Sequence, residues 1–194
     1  MIMAADGVKT WNRHAEKIGG ETLLERIVRQ LKARGISDIL ISARGVDQHR
    51  VAGASIVVNH RNGNDLGCIA GVMEADSEIY LFGDVWYTDV AMDSIIIGTE
   101  NFYGRSKAGE TKAYGEMFAI KMTPELDTLF RRLWQKYLAG EMKRLWSWDL
   151  YSADRGKDFY KHRNTGNFVE IHDMTEDFDK PSDLDRWKEK YAIA

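Results

Sequence analysis

The chain reads as a three-layer α/β protein with a mostly parallel central sheet, and two observations carry that expectation. Strand-like apolar runs alternate with amphipathic helices through residues 1–100. Those runs are nearly continuous in apolar side chains, as expected where helices cover both faces of a sheet. The 194 residues suffice for one domain with a sizeable core, and neither a linker nor an internal repeat divides them.

Each element has a local reason. Ile2–Ala5 suits a short buried strand. Thr22 and Glu25 have the spacing of a capping box, and Gly35 offers the stop of the helix between. Leu23, Leu24, Ile27, Val28 and Leu31 fall on its inner face, with Glu25, Arg29 and Lys32 toward water. "DILISA" (38–43) and "ASIVVN" (54–59) are the next strands, and Gly67 to Ala75 has a helical pattern. "EIYLFGDVWY" (78–87) reads as one apolar strand carrying Gly83-Asp84 near its end. Thr88 is placed to cap the following helix, which closes at Gly98.

In the second half, "YGEMFAIKM" (114–122) is strand-like, and Thr123-Pro124 starts a helix with proline at its first position. Leu126, Leu129, Phe130, Leu133, Trp134 and Tyr137 give that helix its apolar stripe. Residues 138–166 are rich in Trp, Tyr, Lys and Arg with little periodicity, and they read as an insertion within the single domain. "NFVEI" (167–171) returns to a strand, and Ser182 is placed to cap a last helix with Leu184, Trp187 and Tyr191 facing inward.

Bulk properties narrow the function classes. Apolar residues are 44% and charged residues 29%, a globular composition. A net charge of −3 supplies no global basic field, so nucleic acid is not the expected partner. One cysteine, Cys68, excludes an internal disulfide and fits a reducing compartment. Met-Ile-Met-Ala-Ala is short for a secretory signal, and no apolar run approaches the roughly 20 residues that span a bilayer. The expected setting is the cytoplasm, away from membranes.

In open parallel sheets ligands gather at the carboxyl ends of strands. The loop after the first strand, with Asp6, Gly7, Lys9, Arg13 and Lys17, should meet Asp84 there. Backbone N–H groups of a tight turn form an anion nest, and the cations neutralise what binds in it. The plain alternative is a strand leaving the core through an ordinary turn, and Gly83-Asp84 alone is also an ordinary turn sequence. The histidines at 14, 49, 60, 162 and 172 have neither catalytic nor metal-ligand spacing.

"IMAADGVKTW…AEKIGGETLLERIVRQL" resembles the opening of the nucleotidyltransferase superfamily, which includes sugar-phosphate nucleotidylyltransferases and molybdopterin guanylyltransferase-like proteins. Those open with a strand, Ala-Ala-Gly-x-Gly-x-Arg, a lysine, and a Gly-x-x-Leu-Leu-x-Arg helix. Ala4, Ala5, Lys17, Gly20, Leu23, Leu24 and Arg26 match. "YLFGDV" is similar to the family's Gly-Asp metal site, and "FDKPSDL" (178–184) to its Asp-Thr-Pro-Glu-Asp-Leu segment. The chain departs at Asp6, Val8 and Thr10, where the loop glycines and the arginine are usual.

The resemblance implies a fold like that of nucleotide-diphospho-sugar transferases, and Mg²⁺-dependent transfer of a nucleoside monophosphate from an NTP to a small phosphorylated acceptor. It implies Lys17 and Asp84 as catalytic residues and Ala4, Ala5, Asp6, Gly7, Lys9, Arg13, Lys17 and Gly67 around the nucleotide. Asp84 and Asp179 would hold the metal, whereas Asp179 and Asp183 otherwise read as a helix start. Lys112, Tyr114 and Trp148 are candidate acceptor contacts; the alternative for 141–163 is a packing flap with cationic stems over tryptophan. Cys68 reads as a buried structural thiol or a neighbour of the nucleobase. A nucleotide-sugar glycosyltransferase of the same fold is a rival, disfavoured because Trp86 stands where Asp-x-Asp needs its second carboxylate. A non-catalytic nucleotide-binding module is another. The tryptophans, read as exposed, suggest a homodimer.

Overall fold

The computed structural model describes residues 1–3, 13–43, 49–58, 77–105, 115–156 and 168–193. In chain order the described elements are β1 (Ile2–Met3), a 3₁₀ turn (Arg13–Ala15), β2 (Lys17–Ile18), β3 (Glu21–Thr22), α1 (Leu23–Ala33), β4 (Leu40–Ala43) and β5 (Ser55–Val58). There follow β6 (Ile79–Phe82), β7 (Val85–Trp86), α2 (Asp89–Ile97), β8 (Phe102–Arg105), β9 (Glu116–Lys121), α3 (Pro124–Leu138) and α4 (Ser147–Asp154). The chain closes with β10 (Phe168–Glu170), β11 (Glu176–Asp177) and α5 (Pro181–Tyr191).

The fold is α/β around one seven-stranded sheet in the order β10-β8-β9-β6-β1-β4-β5. The sheet is mixed. β6, β1, β4 and β5 run parallel, as do β8 and β10, but β9 pairs antiparallel with both β6 and β8. Between Tyr103 and Gly104 the β8–β9 register shifts, and a Cβ on Gly104 would lie 2.0 Å from the Glu116 carbonyl oxygen, so only glycine fits that crossing.

Helix starts follow the sequence closely. Thr22 and Glu25 form the reciprocal capping box, with Thr22 N–H donating to Glu25 at 2.7 Å and Glu25 N–H donating back at 3.2 Å. Thr88 and Thr123 cap α2 and α3 through Ala91 N–H and Leu126 N–H. The last helix differs: Pro181 is its first residue, and Asp183 accepts from the N–H of Lys180 at 3.0 Å, so Ser182 lies inside the helix. A carboxylate three residues in satisfies the N–H that a serine cap would have left open.

The segment 78–87 is not one strand. Gly83 and Asp84 turn the chain between β6 in the main sheet and β7, which pairs antiparallel with β11. The sequence does not mark β8, because "FYGR" holds only two apolar residues before Gly104 and Arg105.

Two apolar clusters result. The larger joins the main sheet to α1, α2, α3 and α4; the smaller comprises Ile18, Leu23, Trp86, Phe178, Leu184 and Trp187. Burying each such side chain stabilises the fold by roughly 1.5–3 kcal/mol, and the small cluster ties β11 and α5 to the start of α1. Trp86, Trp134, Trp148 and Trp187 are buried, leaving Trp146 as the half-open one among the described tryptophans. The exposure that suggested a homodimer is therefore absent at those four positions, where the rings pack into the molecule's own core.

Candidate active site

The Gly83-Asp84 turn is held from three sides. The buried Tyr87 hydroxyl accepts from Phe82 N–H at 3.0 Å and donates to the Phe118 carbonyl. His14 donates through Nδ1 to the Gly83 carbonyl at 3.1 Å, and burial lowers its pKa, keeping the ring neutral. On the far side, Phe178 N–H donates to the Asp84 carbonyl at 3.1 Å, extending the β7–β11 pairing.

That pairing brings residues far apart in sequence together. Arg13 Nη2 lies 2.8 Å from Asp84 Oδ2, and Arg13 Nη1 donates at 3.1 Å to Asp179 Oδ1 and at 3.2 Å to the Phe178 carbonyl. Strand alternation explains the acidic side: Asp177 and Asp179 flank Phe178, whose ring is buried in the small cluster. Burial opposes the charge on Arg13, yet Asp84, Asp179 and Asp177 hold its pKa above the ordinary value. Burial, then Asp84, Asp179 and Glu116, pushes the Asp177 carboxyl well above the usual range. Three carboxyl groups thus face one guanidinium, and the buried Asp177 favours its neutral form.

Arg26 Nε donates to the Tyr87 carbonyl at 3.0 Å while its guanidinium lies 3.8 Å over the Trp86 ring. Gln30 donates to the same carbonyl at 3.1 Å. These contacts lock α1 to the strand segment that follows Asp84. Arg105 secures the other approach: it pairs with Glu176 at 2.7 Å and donates to the carbonyls of Asp173 and Thr175.

The candidate residues separate accordingly. Arg13, Asp84 and Asp179 converge. Lys17 lies in the β2–β3 hairpin with its side chain exposed, opposite Thr22, and its charge reaches Glu25. Trp148 stacks on Phe168 with ring centroids 5.8 Å apart, within the large apolar cluster. Ala4, Ala5, Asp6, Gly7, Lys9, Gly67, Cys68, Lys112 and Tyr114 lie outside the described residues, as does the 67–75 helix. Sequence reasoning missed Asp177, His14 and Arg105. The apolar residue between two acids in "EDFD" was the available signal for the first; the others choose partners that no local pattern announces.

Among the described residues, no group of three or more His, Cys, Asp or Glu side chains is gathered as a metal cage. The Asp84 and Asp179 carboxylates nevertheless meet on one cationic group. Two hard carboxylates from separate elements match Mg²⁺, which keeps waters and substrate phosphates in its remaining positions.

The fold is similar to that of several solved nucleotidyltransferases. 2-C-methyl-D-erythritol 4-phosphate cytidylyltransferase from Thermus thermophilus superposes with a TM-score of 0.58 at 17% identity, over 99% of this chain and 97% of that one. CTP:phosphocholine cytidylyltransferase from Streptococcus pneumoniae gives 0.59 at 13% identity, over 97% and 95%. A nucleoside-diphosphate-sugar pyrophosphorylase from Vibrio cholerae gives 0.51 at 14% identity, over 93% and 92%. No family model matches the sequence, and neither does any curated protein. No helix among the described residues is long and apolar enough to cross a membrane.

Proposed function

We propose that this protein is a single-domain, Mg²⁺-dependent nucleotidyltransferase that moves a nucleoside monophosphate from an NTP to a small phosphorylated acceptor. The observation that carries this reading is the meeting of Asp84 and Asp179, from opposite halves of the chain, on one guanidinium. The fold shared with two cytidylyltransferases and a sugar-nucleotide pyrophosphorylase supports it.

Asp84 and Asp179 would hold Mg²⁺, which supplies Lewis-acid polarisation and charge neutralisation at the phosphates. Lys17, Lys9 and Arg13 would offset the charge of the triphosphate, with the 4–7 backbone around it. An acceptor phosphate oxygen attacks the α-phosphorus in line; the bond from that phosphorus to the bridging oxygen breaks, and pyrophosphate leaves. The acceptor is already anionic, so no strong general base is required. The chain's work is positioning and electrostatic stabilisation. Tyr87 and His14 serve this indirectly by fixing the turn that presents Asp84.

The test is pyrophosphate release from each of the four NTPs with Mg²⁺ and a panel of sugar and alcohol phosphates. Turnover with one acceptor, lost in Asp84→Asn, is expected. Absence of both turnover and a nucleotide-induced thermal shift would sink the proposal. A glycosyltransferase would instead release sugar from a nucleotide-sugar without pyrophosphate.

A further inference from the structure

We propose that Arg13 is a built-in counter-cation that competes with a divalent ion for Asp84 and Asp179, and that its displacement hands its guanidinium to the phosphates of the nucleotide. This rests on the function proposed above and gives one residue two successive partners.

The geometry makes the competition direct. One fork spans both carboxylates, with Nη2 on Asp84 at 2.8 Å and Nη1 on Asp179 at 3.1 Å. A Mg²⁺ ion sits about 2.1 Å from carboxylate oxygens. A divalent ion held by the same two carboxylates would compete with the guanidinium for them, and like charges brought together in a partly dry site repel strongly. The site also favours exchange, because one monovalent cation faces the two carboxylates of Asp84 and Asp179.

The two arms of the fork differ. The Asp84 side chain is 13% exposed and the Asp179 side chain 70%, so the Asp179 arm is the one water and ions reach first. Arg13 opens the 3₁₀ turn, and the family resemblance implies a place for it around the nucleotide. His14 anchors that turn to Gly83, so the Arg13 side chain can change partners while its backbone stays in place.

The experiment measures Mn²⁺ binding to the nucleotide-free protein by calorimetry and by electron paramagnetic resonance, in wild type, Arg13→Gln, Arg13→Lys and Asp84→Asn. Arg13→Gln should bind Mn²⁺ about tenfold tighter than wild type, a typical coupling between competing groups, with Arg13→Lys between them. In EDTA its melting temperature should fall, and Mn²⁺ should raise it by more than in wild type. With Mn²⁺ saturating, Arg13→Gln should bind NTP more weakly. Equal or weaker Mn²⁺ binding by a folded Arg13→Gln protein, with binding still lost in Asp84→Asn, would overturn this inference and leave the proposed function standing. Unchanged NTP affinity would overturn the transfer to phosphate. No Mn²⁺ binding by any folded form would remove both the inference and the metal-dependent function.

Discussion

At one edge of the sheet, Phe102, Tyr151, Trp148 and Phe168 meet ring to ring, with centroids 5.1–5.8 Å apart. Beyond the end of β6, Arg13, Asp84 and Asp179 meet charge to charge. Both regions join distant parts of the chain, but they carry different information. The aromatic edge is balanced: each ring is covered by others, and α4 buries every residue from Ser147 to Ser152. The charged end is unbalanced: burial first, and then the neighbouring carboxylates, raise the pKa of Asp177. Local electrostatic cost of that kind is what a fold tolerates where a ligand will supply the missing charge. Density of aromatic and cationic residues in a sequence is, by contrast, as much a packing signature as a binding one.

The comparison can be broken most severely at Asp84. Asp84→Asn should lower the rate of pyrophosphate release by at least about a hundredfold, while circular dichroism shows a folded protein; retained turnover would move the site elsewhere. On the aromatic side, Trp148→Ala should cost about 3–5 kcal/mol of unfolding free energy by denaturant titration. If stability survived and only the acceptor KM rose, Trp148 would belong to the site after all.

Asp177→Asn sharpens the electrostatic half. An acid whose folded pKa is raised costs the fold stability once it ionises, so the wild type should gain stability as pH falls toward the ordinary carboxylate range. The variant should therefore melt higher than wild type at pH 8, with the gap closing in acid. The smallest effect belongs to Glu21, which Arg29 and Arg26 hold below the usual carboxylate pKa against a smaller opposing effect of burial. Its contribution is present above the unfolded-state pKa and is lost as pH falls through the lowered folded value. Solvent screening limits it to at most about 1 kcal/mol, so Glu21→Gln should lower the melting temperature slightly at pH 7, and less in high salt.

Much of this molecule was legible locally. The Thr22–Glu25 box, the Thr88 cap, the Thr123-Pro124 start and the stripe of α3 all came from patterns within four residues, because caps and helix faces are short-range. Asp84 is marked by its place near a strand end as well as by resemblance, and Asp179 by resemblance. The strand break at Gly83-Asp84 was not legible, because an apolar run has the same appearance whether it continues in one sheet or passes to another. Nor was the burial of 147–152, whose side chains lack a helical stripe because they are covered on all sides.

By itself, then, the sequence determined the starts of α1, α2 and α3, the α/β class and Asp84 near the end of its strand. Only the tertiary structure decided that β9 runs against its neighbours, that Arg13 is a cation on both acids, and that residues 147–152 of the aromatic segment are buried. The reason is range: caps and periodicity are set by neighbours a few residues away. Strand direction, ion pairing and burial are set by whichever distant segment arrives, and here the arrival of β11 beside β7 brings Asp179 to Arg13 and Asp84.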